Sequence, residues 1–382
     1  MTDLDPRGAG MAPDRLARIS DHLMERYIKP GKIAGALPMV FRKGKLAYCE
    51  ALGSMDLERG KPMRDDTIFR IYSMTKPITS VAIMMLYERG HFQLSDPVWR
   101  FIPEWRDLQV YQAGVAPNFM SQAPLRAMTI RDLLTHMSGL TYGFMNRTNV
   151  DHAYRRLGVS GAAPGERADN AAENLEEMVE RLSRIPLEFS PGTRWNYSVS
   201  TDILGYLVEV ISGQRFDAFL KQHIFDPLGM TDTGFVVAPR DVPRFAANYQ
   251  RSKDKSLMCI DDPEDSIYIR PRSMLSGGGG LASTAGDYLK FTRMLLNGGE
   301  LAGARILGRK TIEMMTCNFL PDNEDLTRWA LGTFSETANE GYGFGLGFSI
   351  NLGTARTCTI GSAGEYAWGG AASTIFWVDP AE

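Results

Sequence analysis

Apolar residues are most densely clustered between Ile71 and Gly90. There Ile78, Val81, Ala82, Met85 and Leu86 recur at helical spacing, and Ile83, Met84 and Tyr87 cover the remaining face. That pattern predicts a helix buried nearly all round. Proline is tolerated only in a first turn, so Pro77 places the helix start close to Ser73, and Gly90 is its natural stop. Leu16, Ile19, Leu23 and Ile28 form a weaker stripe behind Pro13 and predict a surface helix over residues 11–29. Residues 36–42 and 45–51 read as two strands joined at Lys43-Gly44, a hairpin turn signal. Further helices are predicted from Thr129 to Ser138-Gly139, over 174–185, from Phe216, and over 287–297. Another has the stripe Ile203, Leu204, Leu207, Val208 and Ile211, with Ser200 or Thr201 as cap and Gly213 as stop. Residues 107–127 and 236–272 read as irregular, and 145–170 as a polar surface excursion. Residues 343–350, 356–360 and 371–378 read as strands, with Trp368-Gly-Gly leading into the last. Strands at both ends and helices between predict an α+β fold. Its sheet domain would be discontinuous, over 1–90 and 275–382, with a mainly helical domain inserted over 91–274.

The central helix also carries the most suggestive chemistry. Ser73 falls at its N-terminus, where free backbone N–H groups and the dipole favour developing negative charge. Lys76 lies three residues on, on the same face. A lysine at that end of a helix and beside apolar bulk is expected to have its pKa pulled down, with its amine next to the hydroxyl. From these residues alone an N-cap serine with a lysine reaching to the surface fits equally well. Ser-x-x-Lys occurs a second time, as Ser252–Lys255, inside a charged stretch that reads as a solvated loop. Tyr197 enters the helix that starts near Ser200, on a loop from which a side chain can be aimed into a cleft, although a core aromatic fits there too. His136 stands at the end of a short helix, where a capping role outweighs a catalytic one. The run Gly277-Gly-Gly-Gly280 lacks the Lys-Ser/Thr ending of a phosphate loop and points to close backbone packing.

Composition narrows the function classes. The chain has 382 residues, with 44% hydrophobic and 23% charged content, ordinary values for a globular protein with a sizeable core. A net charge of -3 gives no reason to expect nucleic acid or an anionic membrane as partner. No run approaches the ~18 apolar residues of a membrane span, and the N-terminus lacks the plan of a signal peptide. The four cysteines are far apart and are expected to be reduced, so the location expected is cytoplasmic. Gly-x-Ser-x-Gly, His-Glu-x-x-His and cysteine clusters are absent from the sequence, which disfavours an α/β-hydrolase triad or a zinc hydrolase.

Ser73-Met-Thr-Lys76, Tyr197-Ser-Val and Trp368-Gly-Gly follow one another in an order that defines a family. With Leu133-Leu-Thr-His-Met-Ser-Gly-Leu, Ser276-Gly-Gly-Gly-Gly-Leu and Gly343-Phe-Gly-Leu-Gly-Phe, the chain resembles the family VIII carboxylesterases. These are the esterase branch of the class C β-lactamase and D-alanyl-D-alanine carboxypeptidase superfamily. The resemblance implies a β-lactamase/transpeptidase-like fold, with an antiparallel sheet flanked by helices and a large helical insertion. It implies acyl transfer through Ser73, with Lys76 and Tyr197 as the base and acid pair and either one holding the proton. It also implies an oxyanion hole from the backbone N–H groups of Ser73 and Ala371, with Trp368, Gly369 and Gly370 along the substrate. No cofactor is implied, and a small-molecule ester is the expected partner. The β-lactamases have Tyr-x-Asn where this chain has Val199 in third place, and Lys-Thr/Ser-Gly where it has Trp368-Gly369-Gly370. Losing groups that grip a carboxylate and gaining an apolar wall favours neutral esters over β-lactams. A β-lactamase or peptidase, or a binding protein that keeps the fold, are the alternatives. The family usually continues into further strand and a C-terminal helix, whereas this chain stops at Glu382 right after a strand. Either the sequence is truncated or the closing elements are absent, and in the second case a face of the sheet is expected to be exposed.

Overall fold

A computed structural model describes residues 4–161, 163, 170–332 and 340–382. The N-terminal helix Pro13–Leu23 runs on into a π turn, Met24–Ile28, and seats Leu16 against Ala47 and Tyr48 of the first hairpin. That hairpin pairs Met39–Arg42 with Lys45–Cys49. Its turn residues Lys43 and Gly44 both have positive φ, 49° and 76°, as a two-residue turn matched to strand twist requires.

The strand Ile68–Arg70 pairs antiparallel with Ala282–Thr284, joining segments some two hundred residues apart. This pairing delivers the chain into the central helix. Tyr72–Met74 forms a 3-10 turn, and the α-helix proper is Thr75–Glu88, a start two residues later than Ser73. Pro77 sits in its first turn, where no N–H is needed. From Thr75 to Leu86 every residue is buried, as an apolar pattern on all faces requires. The helix Ser200–Ser212 packs along it and buries Ile203, Leu204, Leu207 and Val208 completely. One hydrophobic cluster, running from Ile71 to Val378, holds both helices and the terminal strands.

The C-terminal sheet is a four-stranded antiparallel meander of Tyr342–Phe344, Ser349–Asn351, Tyr366–Gly370 and Thr374–Val378. The single strand expected over 343–350 is two strands, because Gly345 and Gly347 turn the chain. A Cβ at Gly347, where φ is 101°, would lie 2.2 Å from the Ser80 hydroxyl on the central helix. Residues 356–360 form no strand: Thr354–Thr357 is a helical turn and Ile360 is 99% exposed. Alternation without a partner or a face to bury does not hold a strand. Trp368-Gly-Gly belongs to the third strand rather than leading into the fourth, and Ala371 lies in the turn between them. On the last strand Phe376 and Val378 are buried while Ile375 and Trp377 stay exposed.

Two stretches read as irregular contain hairpins, Val110–Val115 with Asn118–Gln122 and Asn248–Arg251 with Leu257–Asp261. Their residues are mostly solvent-facing, so the pairing left no clear apolar period. The polar stretch from 145 contains the helix Asn149–Arg156, begun by a Thr148–Asp151 capping box. Residues 162 and 164–169 of that stretch lie outside the described residues. The expected helices over 174–185 and 287–297 are present as Leu175–Leu182 and Ala285–Leu296. Ser200 and Thr201 do not cap their helix, whose N-cap is Val199 without a side-chain hydrogen bond.

Candidate active site

Ser73 lies in the 3-10 turn that opens the central helix and is 8% exposed. Its neighbour Tyr72 has φ 38°, a left-handed conformation that costs of order 1–3 kcal/mol for such a residue. Fixed points on both sides hold it there. Ile71 N–H donates to Leu281 O at 3.1 Å, and Asn248 Nδ2 donates to the Tyr72 hydroxyl at 3.1 Å. The serine is thus presented by a strained turn braced from two distant segments.

Two side chains converge on its oxygen. Tyr197 OH donates to Ser73 Oγ at 2.7 Å, and Lys76 Nζ donates to it at 3.3 Å. Lys76 is 2% exposed, so the reading of a lysine reaching to the surface is set aside. Its Nζ also donates to Gly278 O at 2.6 Å and lies 4.4 Å from the Tyr197 ring centroid and 5.3 Å from that of Tyr142. Two aromatic faces and a backbone carbonyl thus surround the buried amine.

Tyr197 is 1% exposed and is aimed by the loop before the Ser200–Ser212 helix. That loop is laced to residues 136–141: Asn196 N–H donates to His136 O, Asn196 Nδ2 to Leu140 O, and Val199 N–H to Thr141 O. The Tyr197 ring packs against His136, Tyr142 and Trp368 at centroid distances of 5.0, 5.2 and 5.6 Å.

His136 does not cap the preceding helix. That helix closes at Thr135, and His136 takes φ 55° and turns inward beneath Tyr197. Its Nδ1 lies 3.2 Å from Ser198 Oγ. Burial, reinforced by the Lys76 charge, pushes its pKa well below the ordinary 6.5, so the ring is neutral. Local position predicted a cap, and the surrounding aromatic rings decided otherwise.

Trp368 is 1% exposed and backs Tyr197 and Phe344, forming the apolar wall behind the phenol. Gly369 and Gly370 continue its strand, and a Cβ at Gly370 would meet Ile71 O at 2.4 Å. The strand end therefore abuts the backbone leading to Ser73, with Ala371 next in the turn. The glycine run packs closely, as expected: a Cβ at Gly277 would meet Thr201 O at 2.6 Å. Its second service, bringing the Gly278 carbonyl to Lys76, was not read from the sequence. A glycine run without a phosphate-loop ending was the available signal. The second Ser-x-x-Lys occupies the tip of the 248–261 hairpin, with both residues outside the core.

The β-lactamase family model matches residues 20–382. The chain belongs to the β-lactamase family. Among its relatives, protein Rv1367c of Mycobacterium tuberculosis is 35% identical over 92% of this chain and 84% of its own length. Esterase EstB of Burkholderia gladioli is 32% identical over 99% of this chain and 91% of its own. Among solved structures, EstCE1, described as a hydrolase with promiscuous acyltransferase activity, superimposes with a TM-score of 0.78 at 26% identity, covering 98% of this chain and 91% of that one. The mixed helices and antiparallel strands are of the β-lactamase/transpeptidase type, and the protein is an enzyme of that hydrolase superfamily. No helix among the described residues is long and apolar enough to cross a membrane.

Proposed function

We propose that the protein is a serine carboxylesterase of the family VIII kind, cleaving short-chain esters through a covalent acyl-enzyme on Ser73. The observation that carries this reading is the convergence of Tyr197 OH and Lys76 Nζ on Ser73 Oγ, at 2.7 and 3.3 Å. A serine hydroxyl attacks a carbonyl only when a neighbour takes its proton. Lys76 as free amine or Tyr197 as phenolate accepts it, and the Oγ–carbonyl carbon bond forms. Backbone N–H groups of Ser73 and Ala371 receive the resulting oxyanion. Collapse of the tetrahedral species breaks the bond to the alcohol, which leaves with the proton held by the pair. Water then adds to the acyl-enzyme by the same route and releases the acid.

Val199 and Trp368-Gly-Gly, where β-lactamases carry Asn and Lys-Thr/Ser-Gly, support neutral esters over β-lactams. The relatives named an esterase and a hydrolase support the same choice. The test is hydrolysis of p-nitrophenyl butyrate by wild type and Ser73→Ala, with nitrocefin alongside. Ester turnover that vanishes in the variant, with little on nitrocefin, is the result expected. Strong nitrocefin turnover overturns the ester preference. Retained ester turnover in Ser73→Ala overturns the nucleophile.

A further inference from the structure

Lys76 Nζ donates to a backbone oxygen, Gly278 O, at 2.6 Å, closer than its 3.3 Å contact with Ser73 Oγ. Glycine is the residue least able to fix the direction of its own carbonyl, because both its dihedrals are free. Something outside the glycine run must therefore hold this one in place. Asp202 supplies the hold. Its carboxylate is 4% exposed, in the first turn of the Ser200–Ser212 helix, an end that favours an acidic group. Oδ1 accepts from Gly278 N–H at 3.0 Å and from the Ser276 hydroxyl at 2.5 Å, so it clasps the run on both sides of Gly277. Oδ2 lies 3.5 Å from the hydroxyl of Tyr142, whose ring faces Lys76. From the central helix, Thr79 Oγ1 donates to Gly277 O at 2.8 Å.

We propose that Asp202 is a positioning residue for the acyl-transfer site: by holding Gly278 N–H and the Ser276 hydroxyl it pins the turn in which Gly279 N–H donates to Ser276 O at 3.4 Å, and so sets the peptide whose Gly278 carbonyl places the Lys76 amine against Ser73. Only the missing side chain at 278 allows this approach. A Cβ there would lie 2.6 Å from Asp202 Oδ2 and 2.7 Å from the Tyr142 hydroxyl. The glycine is thus required for contact with the aspartate, and the aspartate for the aim of the glycine. Asp202 acts on Lys76 through the backbone and does not touch the serine. This inference rests on the proposed roles of Ser73 and Lys76.

The experiment compares wild type, Asp202→Ala and Asp202→Asn in ester turnover and in the rate at which a p-nitrophenyl phosphonate labels Ser73. The second readout reports activation of the nucleophile directly. Removing the clasp misplaces the amine, and misplacement by about an ångström costs on the order of 10²-fold. Asp202→Ala is therefore expected to lower kcat and the labelling rate together by about that factor, with KM changed less than about twofold. Asp202→Asn keeps an oxygen acceptor at Oδ1 and is expected to restore both rates to within about fivefold of wild type. Equal losses in the two variants overturn the proposal, since charge rather than acceptor geometry would then be acting. A kcat in Asp202→Ala within about threefold of wild type also overturns it. If Asp202→Ala fails to fold, Gly278→Ala decides. Its Cβ pushes against Asp202 Oδ2 and the Tyr142 hydroxyl and so opens the clasp without removing the carboxylate; a comparable loss supports the proposal and an unimpaired kcat overturns it. Wild type that neither turns over ester nor takes the phosphonate on Ser73 refutes the esterase reading itself, a different outcome from an active wild type indifferent to Asp202.

Discussion

The chain contains the same four-residue pattern twice, and the two copies share nothing beyond it. Ser73–Lys76 opens a helix buried on every face, with the lysine 2% exposed, two tyrosine faces and a carbonyl around its amine, and the Tyr197 phenol on the serine oxygen. Ser252–Lys255 caps a hairpin, where Ser252 N–H donates to Ser256 O and its hydroxyl bonds Asp254 and Ser256. In the first copy the serine hydroxyl accepts from two ionisable donors that are both buried. In the second it does the ordinary work of closing a turn. A motif of two residue types carries chemistry only where burial and convergent partners make an amine and a hydroxyl depend on each other.

That contrast can be broken or sharpened in order of expected effect. Ser73→Ala removes the attacking atom and is expected to abolish ester turnover, leaving only a background carried by binding, while Ser252→Ala is expected to leave the rate unchanged. Lys76→Ala, measured at saturating ester, should lower kcat by roughly 10²–10⁴-fold, the range for losing a positioned base. Circular dichroism should show the fold retained, and a rate within a few-fold of wild type would remove Lys76 from the proposed chemistry. Tyr197→Phe keeps the packed ring and deletes the 2.7 Å hydrogen bond to Ser73, so a loss of about 10–100-fold is expected. A normal rate there would assign proton transfer to Lys76 or water. Lys255→Ala should change both activity and stability by no more than about 0.5 kcal/mol, as surface substitutions do.

A smaller effect concerns pH. Burial depresses the His136 pKa well below 6.5, so the folded ring refuses a proton that the unfolded chain takes up. The stability contributed by the neutral ring is complete above the unfolded value of 6.5 and is lost as pH falls below it, toward the folded pKa. Urea unfolding of wild type and His136→Asn between pH 7 and pH 5 checks this: the wild-type slope with pH should be shallower in the variant. Parallel slopes would show that His136 is not the titrating group.

Much of the site is legible in the sequence because the order of its motifs along the chain is distinctive. Ser73, Lys76 and Tyr197 were picked out by residue type, helix position and sequence of motifs, and the fold brings them together on one oxygen. His136 was misassigned because its place after a helix said cap, whereas the rings of Trp195, Tyr197 and Phe344 around it are contributed by remote segments. The two hairpins were missed for the opposite reason. Their strands face solvent and carry little apolar period, and only the partner strand makes them strands.

The sequence by itself determined the buried helix, the position of the serine at its start and the family of the chain, because apolar periodicity and the order of chemical groups are written locally. Only the tertiary structure decided that Lys76 is held by a backbone carbonyl and that Asp202 clasps the glycine run behind it. A backbone carbonyl is present at every residue, so no sequence pattern marks the one that will receive an amine. Packing of the Thr75–Glu88 and Ser200–Ser212 helices against the glycine run selects it, by leaving room for that oxygen and for no side chain.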